Sequence, residues 1–226
     1  MTRTLERRTS KAQPIELRAG KEGSPGTLTG YAIVFNSLSQ NLGGFVERVL
    51  PGAADKSIAD GVRVLARYNH DDNFLLGATD SGTVRLSADG TGVFYEVALP
   101  NTTAGRDVAE LARRGDLRNS SFAFYVPPGG ESWSFTEQDF PLRSLSAIQL
   151  VDVAPVNTPA YLDTTAAVRS LAAATGIDPA RISTEHVEEI RAALRAEASD
   201  GGQAASHPTL RLSLAARHQA INEAMQ

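Results

Sequence analysis

The chain has 226 residues, 42% hydrophobic and 21% charged, which suits one globular domain with terminal extensions. It has no cysteine, which excludes a disulfide framework, a thiolate nucleophile and a thiolate metal site. Its net charge of -4 argues against a bulk nucleic-acid binder, and no apolar run approaches the ~20 residues that cross a bilayer.

The first 21 residues run against the overall charge, with six Lys or Arg against two Glu. No apolar stretch follows Arg3, Arg7, Arg8 and Lys11, so this is not a secretory signal. Residues 1–26 read as a basic, largely flexible arm, although Pro14 to Arg18 alternates like a first strand. From Leu28 the pattern turns β-rich. Tyr31 to Phe35 is a near-continuous apolar run, typical of a strand buried on both faces. Phe45 to Leu50 predicts another strand, and Ala53 to Ala59 a short helix with Pro51 near its start. Val62 to Tyr68 predicts a strand. Thr83 to Ser87 and Val93 to Leu99 flank an Asp-Gly turn and predict a hairpin.

Thr103 to Arg114 is the best helix of the core. Thr102 or Thr103 caps it, Val108, Leu111 and Ala112 share one face, and Gly115 stops it. Asn119 to Val126 and Leu142 to Val153 read as strands, with a Gly-rich turn and a short strand at Trp133 to Phe135 between them. After Tyr161 the character changes. Val168 to Ala174 predicts a helix, and Ser183 to Ile190 opens a second with Val187, Ile190 and Leu194 aligned. Asp200 to Pro208 reads as a linker, and Thr209 to Gln226 as a short amphipathic segment. The division is an arm over 1–26, a β-rich core over 27–169 and a helical and linker tail over 170–226.

Three segments carry groups with chemical potential. They are Tyr68-Asn69-His70-Asp71, Asn119-Ser120-Ser121-Phe122-Ala123-Phe124 and the run from Leu150 to Tyr161 that holds Asp152. A serine hydroxyl is a weak nucleophile that needs a base in hydrogen-bond reach, and the base needs a third group to orient it. Of the four histidines, His186, His207 and His218 lie in the tail, which leaves His70 alone in the β core. Taken singly, His70 also reads as a turn histidine bonded to Asp71 or Asp72. Ser120 competes with Ser121, because adjacent strand residues face opposite sides. Asp152, in an apolar run, must be paired if buried, with His70 or with Arg143 or Arg118. Other chemistries lack their signatures: there is no GxxxxGK, HExxH or CxxC, and nothing brings Glu47 and Glu96 together as a glycosidase pair.

In this order and spacing, these segments and their neighbours resemble the prohead maturation proteases of tailed bacteriophages, a family related in fold to herpesvirus assemblin. The resemblance covers about residues 28–165 and includes Gly30 to Phe35, Phe45 to Ala53, Asn69-His70-Asp71, Gly105-Arg106-Asp107, Arg114 to Leu117, Ser120 to Phe124 and Val153 to Tyr161. It implies a serine endopeptidase with His70 as base, Ser121 as nucleophile and Asp152 as the acidic third member. Asp152 stands where the family most often has Glu, one methylene shorter. Arg143 and Arg118 are candidate oxyanion ligands.

The resemblance implies a β-rich α+β fold: a mostly antiparallel, closed β-barrel with surrounding helices, plus the helical C-terminal tail. It implies that the enzyme cleaves scaffold, the capsid-protein leader and itself inside the procapsid, in the host cytoplasm. Neither cofactor, metal, nucleic acid nor membrane is implied; the expected partners are the major capsid protein and scaffold, with a homodimer as a further expectation. The tail is expected to bring the protease into the shell. The alternative is a catalytically silent structural or scaffold component that keeps the protease fold. An unrelated esterase ranks behind both, because the chain lacks the G-x-S-x-G elbow.

Overall fold

The computed structural model describes residues 4–9, 14–157 and 165–200. The charged segment Glu6–Thr9 forms β1, and Glu16–Arg18 forms β2. β3 (Thr27–Val34) and β4 (Val46–Val49) lead into helix α1 (Asp55–Ala59). β5 (Leu65–Arg67) ends in a tight turn, Tyr68–His70, and β6 (Leu75–Ala78) returns beside it. β7 (Val84–Ala88) and β8 (Gly92–Ala98) form the expected hairpin.

Helix α2 spans Thr103–Arg114, as its caps predict. The Thr102 side chain accepts from the Gly105 N–H, and Gly115 closes the helix at φ 76°, a conformation glycine adopts without a Cβ clash. β9 (Asn119–Tyr125), β10 (Glu131–Phe135), β11 (Pro141–Leu145) and β12 (Gln149–Val156) follow. Helices α3 (Thr165–Thr175) and α4 (Val187–Asp200) close the described chain.

Among the described residues the strands form three open sheets, in the orders β1-β9-β12-β5-β6, β10-β11-β4 and β2-β3-β8-β7. The expected closed, mostly antiparallel barrel is therefore incorrect. Two pairings, β11 with β4 and β12 with β5, are parallel. The single strand read over Leu142 to Val153 is two strands in different sheets. The break is made by hydrogen bonds from the Ser146 and Ala147 N–H groups to the Gly130 carbonyl and from the Ile148 N–H to the Ala53 carbonyl. Closure is also not the device that protects the sheet edges: α2 runs along β2 and β6, the outer strands of two sheets, and a covering helix blunts an edge as closure would.

The main core lies between the five- and four-stranded sheets and gathers Leu28, Ile33, Tyr95 and Val97 with Phe122, Phe124, Leu150 and Val153, closed by Val108 of α2. A second cluster joins Leu42 and Phe45 to Leu171, Ile177, Ile182, Ile190 and Leu194 from α3, α4 and the loop between them. Residues 6–9 and 16–18, within the segment read as an arm, pair with β9 and β3.

Candidate active site

The five-stranded sheet brings the three singled-out residues together through its strand order. β9 carries Ser121, its neighbour β12 carries Asp152, and the turn after the next strand, β5, carries His70. Ser121 lies opposite Ala154 and Ala123 opposite Asp152 in the β9–β12 register. Directly opposed residues share a face, so Ser121 and Asp152 are diagonal neighbours on one side of the sheet. A β-bulge between Leu150 and Asp152 immediately precedes the acid, a device that re-aims a side chain.

His70 bridges the other two. Its Nδ1 is 2.6 Å from Asp152 Oδ1, and its Nε2 is 2.6 Å from Ser121 Oγ. The shorter acid thus reaches the imidazole. Asp152 has a second partner, Arg67, whose Nη1 donates to Oδ2 at 2.8 Å and whose Nη2 lies 3.0 Å from Asp72 Oδ1. Both carboxylate oxygens are engaged, so the acid cannot rotate away from the ring. Neither Arg143 nor Arg118 contacts it.

Two residues of the histidine turn, Asn69 (φ 54°) and His70 (φ 57°), adopt left-handed conformations. Such backbone costs of order 1–3 kcal/mol per residue and persists where surrounding contacts over-determine it. Here the Asn157 N–H donates to Asn69 Oδ1 at 3.1 Å, and the Asp71 N–H bonds the Tyr68 carbonyl.

Ser120 faces the opposite side, as the strand period requires, with its hydroxyl 2.9 Å from Tyr95 OH. A Cβ on Gly30 would sit 3.0 Å from Tyr95 OH and 3.1 Å from Ser120 Oγ, which suits glycine to this close approach. Burial pushes the Tyr95 pKa up, against the smaller opposing effect of the Ser120 hydrogen bond.

Ser121 and Asp152 are 0% exposed. The cover over Ser121 includes β1, where the Arg8 carbonyl accepts from Ser121 Oγ at 2.9 Å. The hydroxyl has one proton, so that carbonyl and His70 Nε2 compete for it.

Beside this line lies a cluster of charges. Arg143 donates to Glu131 from Nε (2.7 Å), to Glu6 and Glu47 from Nη1 (2.7 Å each) and to Glu6 from Nη2 (3.0 Å). Burial alone would lower the Arg143 pKa, but its hydrogen bonds to Glu6 and the charges of Glu47, Glu6 and Glu131 outweigh that and raise it. All three guanidinium nitrogens are held by carboxylates. Arg118 donates to the Gly115 carbonyl at 2.5 Å. Neither arginine, named as a candidate oxyanion ligand, bonds the serine, the histidine or the acid. Glu96 pairs with Arg18 elsewhere, so it forms no carboxylate pair with Glu47.

A family model described as caudovirus prohead serine protease matches residues 13–176. The chain belongs to that family. Among solved structures, that of the bacteriophage T4 capsid assembly protease, gp21, aligns at a TM-score of 0.43 with 12% identity, covering 68% of this chain and 96% of that one. None of the curated proteins compared with the chain matches it. The matched span begins after β1 and contains His70, Ser121 and Asp152.

Two features of the site escaped the sequence reading. Arg67 stands three residues before His70 and looks there like an ordinary solvated strand residue; its only signal is its nearness to the histidine. Glu6 and Arg8 look like parts of a solvated arm, yet they are 2% and 4% exposed.

Proposed function

We propose that this chain is the serine endopeptidase that cleaves scaffold, the capsid-protein leader, or both, and itself, inside the assembling procapsid in the host cytoplasm. The observation that carries the reading is a single imidazole with 2.6 Å contacts to a serine hydroxyl on one nitrogen and a carboxylate on the other. Membership of a peptidase family supports it.

In this reading His70 Nε2 takes the Ser121 proton as Oγ attacks the scissile carbonyl, and returns it to the leaving amine. Asp152 fixes the tautomer and stabilises the imidazolium; Arg67 positions Asp152. Backbone N–H groups hold the developing oxyanion, each worth roughly 2.7–4 kcal/mol. A water then hydrolyses the Ser121 ester with His70 as base. Substrates confined with the enzyme in a closed shell are met at very high effective concentration, so the site works without tight binding.

Co-expression of the chain, wild type or Ser121→Ala, with its major capsid protein tests this by intact mass. Shortening of the capsid protein or scaffold with the wild type alone is expected. A second reading, a catalytically silent shell component, draws on the complete burial of Ser121; full-length products with both versions would favour it.

The tail is proposed to carry the protease into the shell. Because Leu171, Ile177, Ile182, Ile190 and Leu194 are built into the second cluster, deletion of 201–226 is the clean test. Reduced incorporation into proheads is expected; unchanged incorporation removes 201–226 from that role and leaves it to residues 170–200.

A further inference from the structure

The strand over Ser121 is the chain's own N-terminal segment. β1 forms the edge of the five-stranded sheet and pairs antiparallel with β9, Arg8 opposite Phe122 and Thr9 opposite Ser121. Without β1, the strand bearing Ser121 would itself be the edge. An extended peptide adds to a free sheet edge through main-chain hydrogen bonds, with pockets for alternate side chains giving specificity. β1 has both properties.

Its backbone presents the Arg8 carbonyl to Ser121 Oγ at 2.9 Å, so the next amide along the chain is the Arg8–Thr9 bond. Its alternate side chains fill charge-matched recesses. The Arg8 guanidinium donates to Glu47 from Nε (2.9 Å) and Nη2 (3.1 Å), and lies over the Phe124 ring at 5.7 Å. Glu6, two residues earlier, is held by Arg143 at 2.7 and 3.0 Å and also bonds Arg8 Nη2 at 2.6 Å. The recess itself is built from body strands: Glu47 on β4, Glu131 on β10 and Arg143 on β11. Glu131 is steadied by the Ser170 hydroxyl of α3. A strand serving only to cover an edge does not need its carbonyl on the serine hydroxyl.

We propose that Glu6–Thr9 is bound as the chain's own substrate, that Ser121 cuts the Arg8–Thr9 bond, and that Glu47 and Arg143 recognise an Arg and a Glu two residues apart on the N-terminal side of the cut. This rests on the reading of Ser121, His70 and Asp152 as the catalytic set. Ser121 Oγ bonds to the Arg8 carbonyl carbon as His70 takes its proton; the C–N bond to Thr9 breaks, and the proton leaves on the new Thr9 amine. Water hydrolyses the Arg8 ester, releasing residues 1–8 with a C-terminal carboxylate. Departure of that fragment uncovers the β9 edge and frees the Glu47 and Arg143 recess for a Glu-x-Arg strand of another chain.

The test follows the N-terminus of the full chain by intact mass and N-terminal sequencing, for wild type and Ser121→Ala, each co-expressed with the major capsid protein. A wild-type chain that begins at Thr9, beside a variant that keeps residues 1–8, supports the proposal. A chain that keeps residues 1–8 while the capsid protein is cut in a Ser121-dependent way overturns it and leaves the protease reading standing, as does a new N-terminus at any other residue. Absence of any Ser121-dependent cleavage fails the protease reading itself, and the proposal with it. The recess is tested separately with a synthetic peptide of residues 1–16. It is expected to be cut after Arg8, and the same peptide with Arg8→Glu about tenfold or more slowly, because the substitution sets a carboxylate against Glu47. Equal rates overturn the role of Glu47.

Discussion

Two buried polar assemblies lie side by side in this molecule, and they differ in what they can do. One is the line Arg67–Asp152–His70–Ser121; the other is the cluster Glu6–Arg8–Glu47–Arg143–Glu131. Both keep charges out of water, and both satisfy them with short contacts. The cluster contains only guanidinium and carboxylate groups, bound to one another and to no hydroxyl of the line. The line contains an imidazole between a hydroxyl and an acid, on a turn with two left-handed residues. Burial and pairing are common to both; what sets the line apart, and what the proposed chemistry rests on, is an imidazole within 2.6 Å of a hydroxyl. β1 couples the two, because Arg8 gives its side chain to the cluster and its carbonyl to the serine.

A structural line, or a catalytic cluster, would erase this difference. The largest effects are expected from Ser121→Ala and His70→Ala, each lowering kcat by about 10⁴–10⁶-fold, with thermal unfolding close to wild type. Asp152→Asn should cost about 10⁴-fold in kcat, since the amide favours the wrong imidazole tautomer. A variant of any of the three with near-native cleavage removes the line from the chemistry.

Arg143→Met should act on the fold as well as on cleavage, because Arg143 both ties the cluster together and holds Glu6. The substitution leaves Glu47 and Glu131 short of a buried partner and should destabilise the fold by about 3–5 kcal/mol in denaturant titrations. Full stability with lost activity would confine Arg143 to substrate recognition; full stability with full activity would remove it from both roles.

Arg67→Met sharpens the boundary between the two. Losing a hydrogen bond to a charged group costs about 1.5–3 kcal/mol, so kcat should fall roughly ten- to a hundredfold with KM little changed. A KM effect alone would make Arg67 a substrate-binding residue. The exposed Arg18–Glu96 pair is the control: Arg18→Ala should change stability by less than about 1 kcal/mol. A larger loss would mean that exposure does not separate these pairs.

What the sequence made legible follows the range of the interactions. Local signals were sound: Thr102 and Gly115 bound α2, and the turn at Asp89-Gly90 joins β7 to β8. His70, Ser121 and Asp152 could be singled out because they occur in one order within recognisable segments. Their meeting depends on the strand order β9-β12-β5, which no local pattern encodes. The closed barrel failed for that same reason. Strand identity was readable, but the parallel partners of β4 and β5 and the break at 146–148 depend on contacts made far along the chain. β1 was hidden most completely. Glu6-Arg7-Arg8-Thr9 is a solvated pattern on its face, and its burial depends on Glu47 and Arg143, 39 and 137 residues away from the groups they bind.

The most direct measurement is to treat a preparation that cleaves the capsid protein with a serine-directed phosphonylating inhibitor, map the adduct by peptide mass spectrometry and follow residual cleavage. One adduct on Ser121 is expected, formed in step with loss of cleavage and absent in His70→Ala. Cleavage abolished with Ser121 unmodified, or an adduct on another serine that tracks the loss, would contradict it.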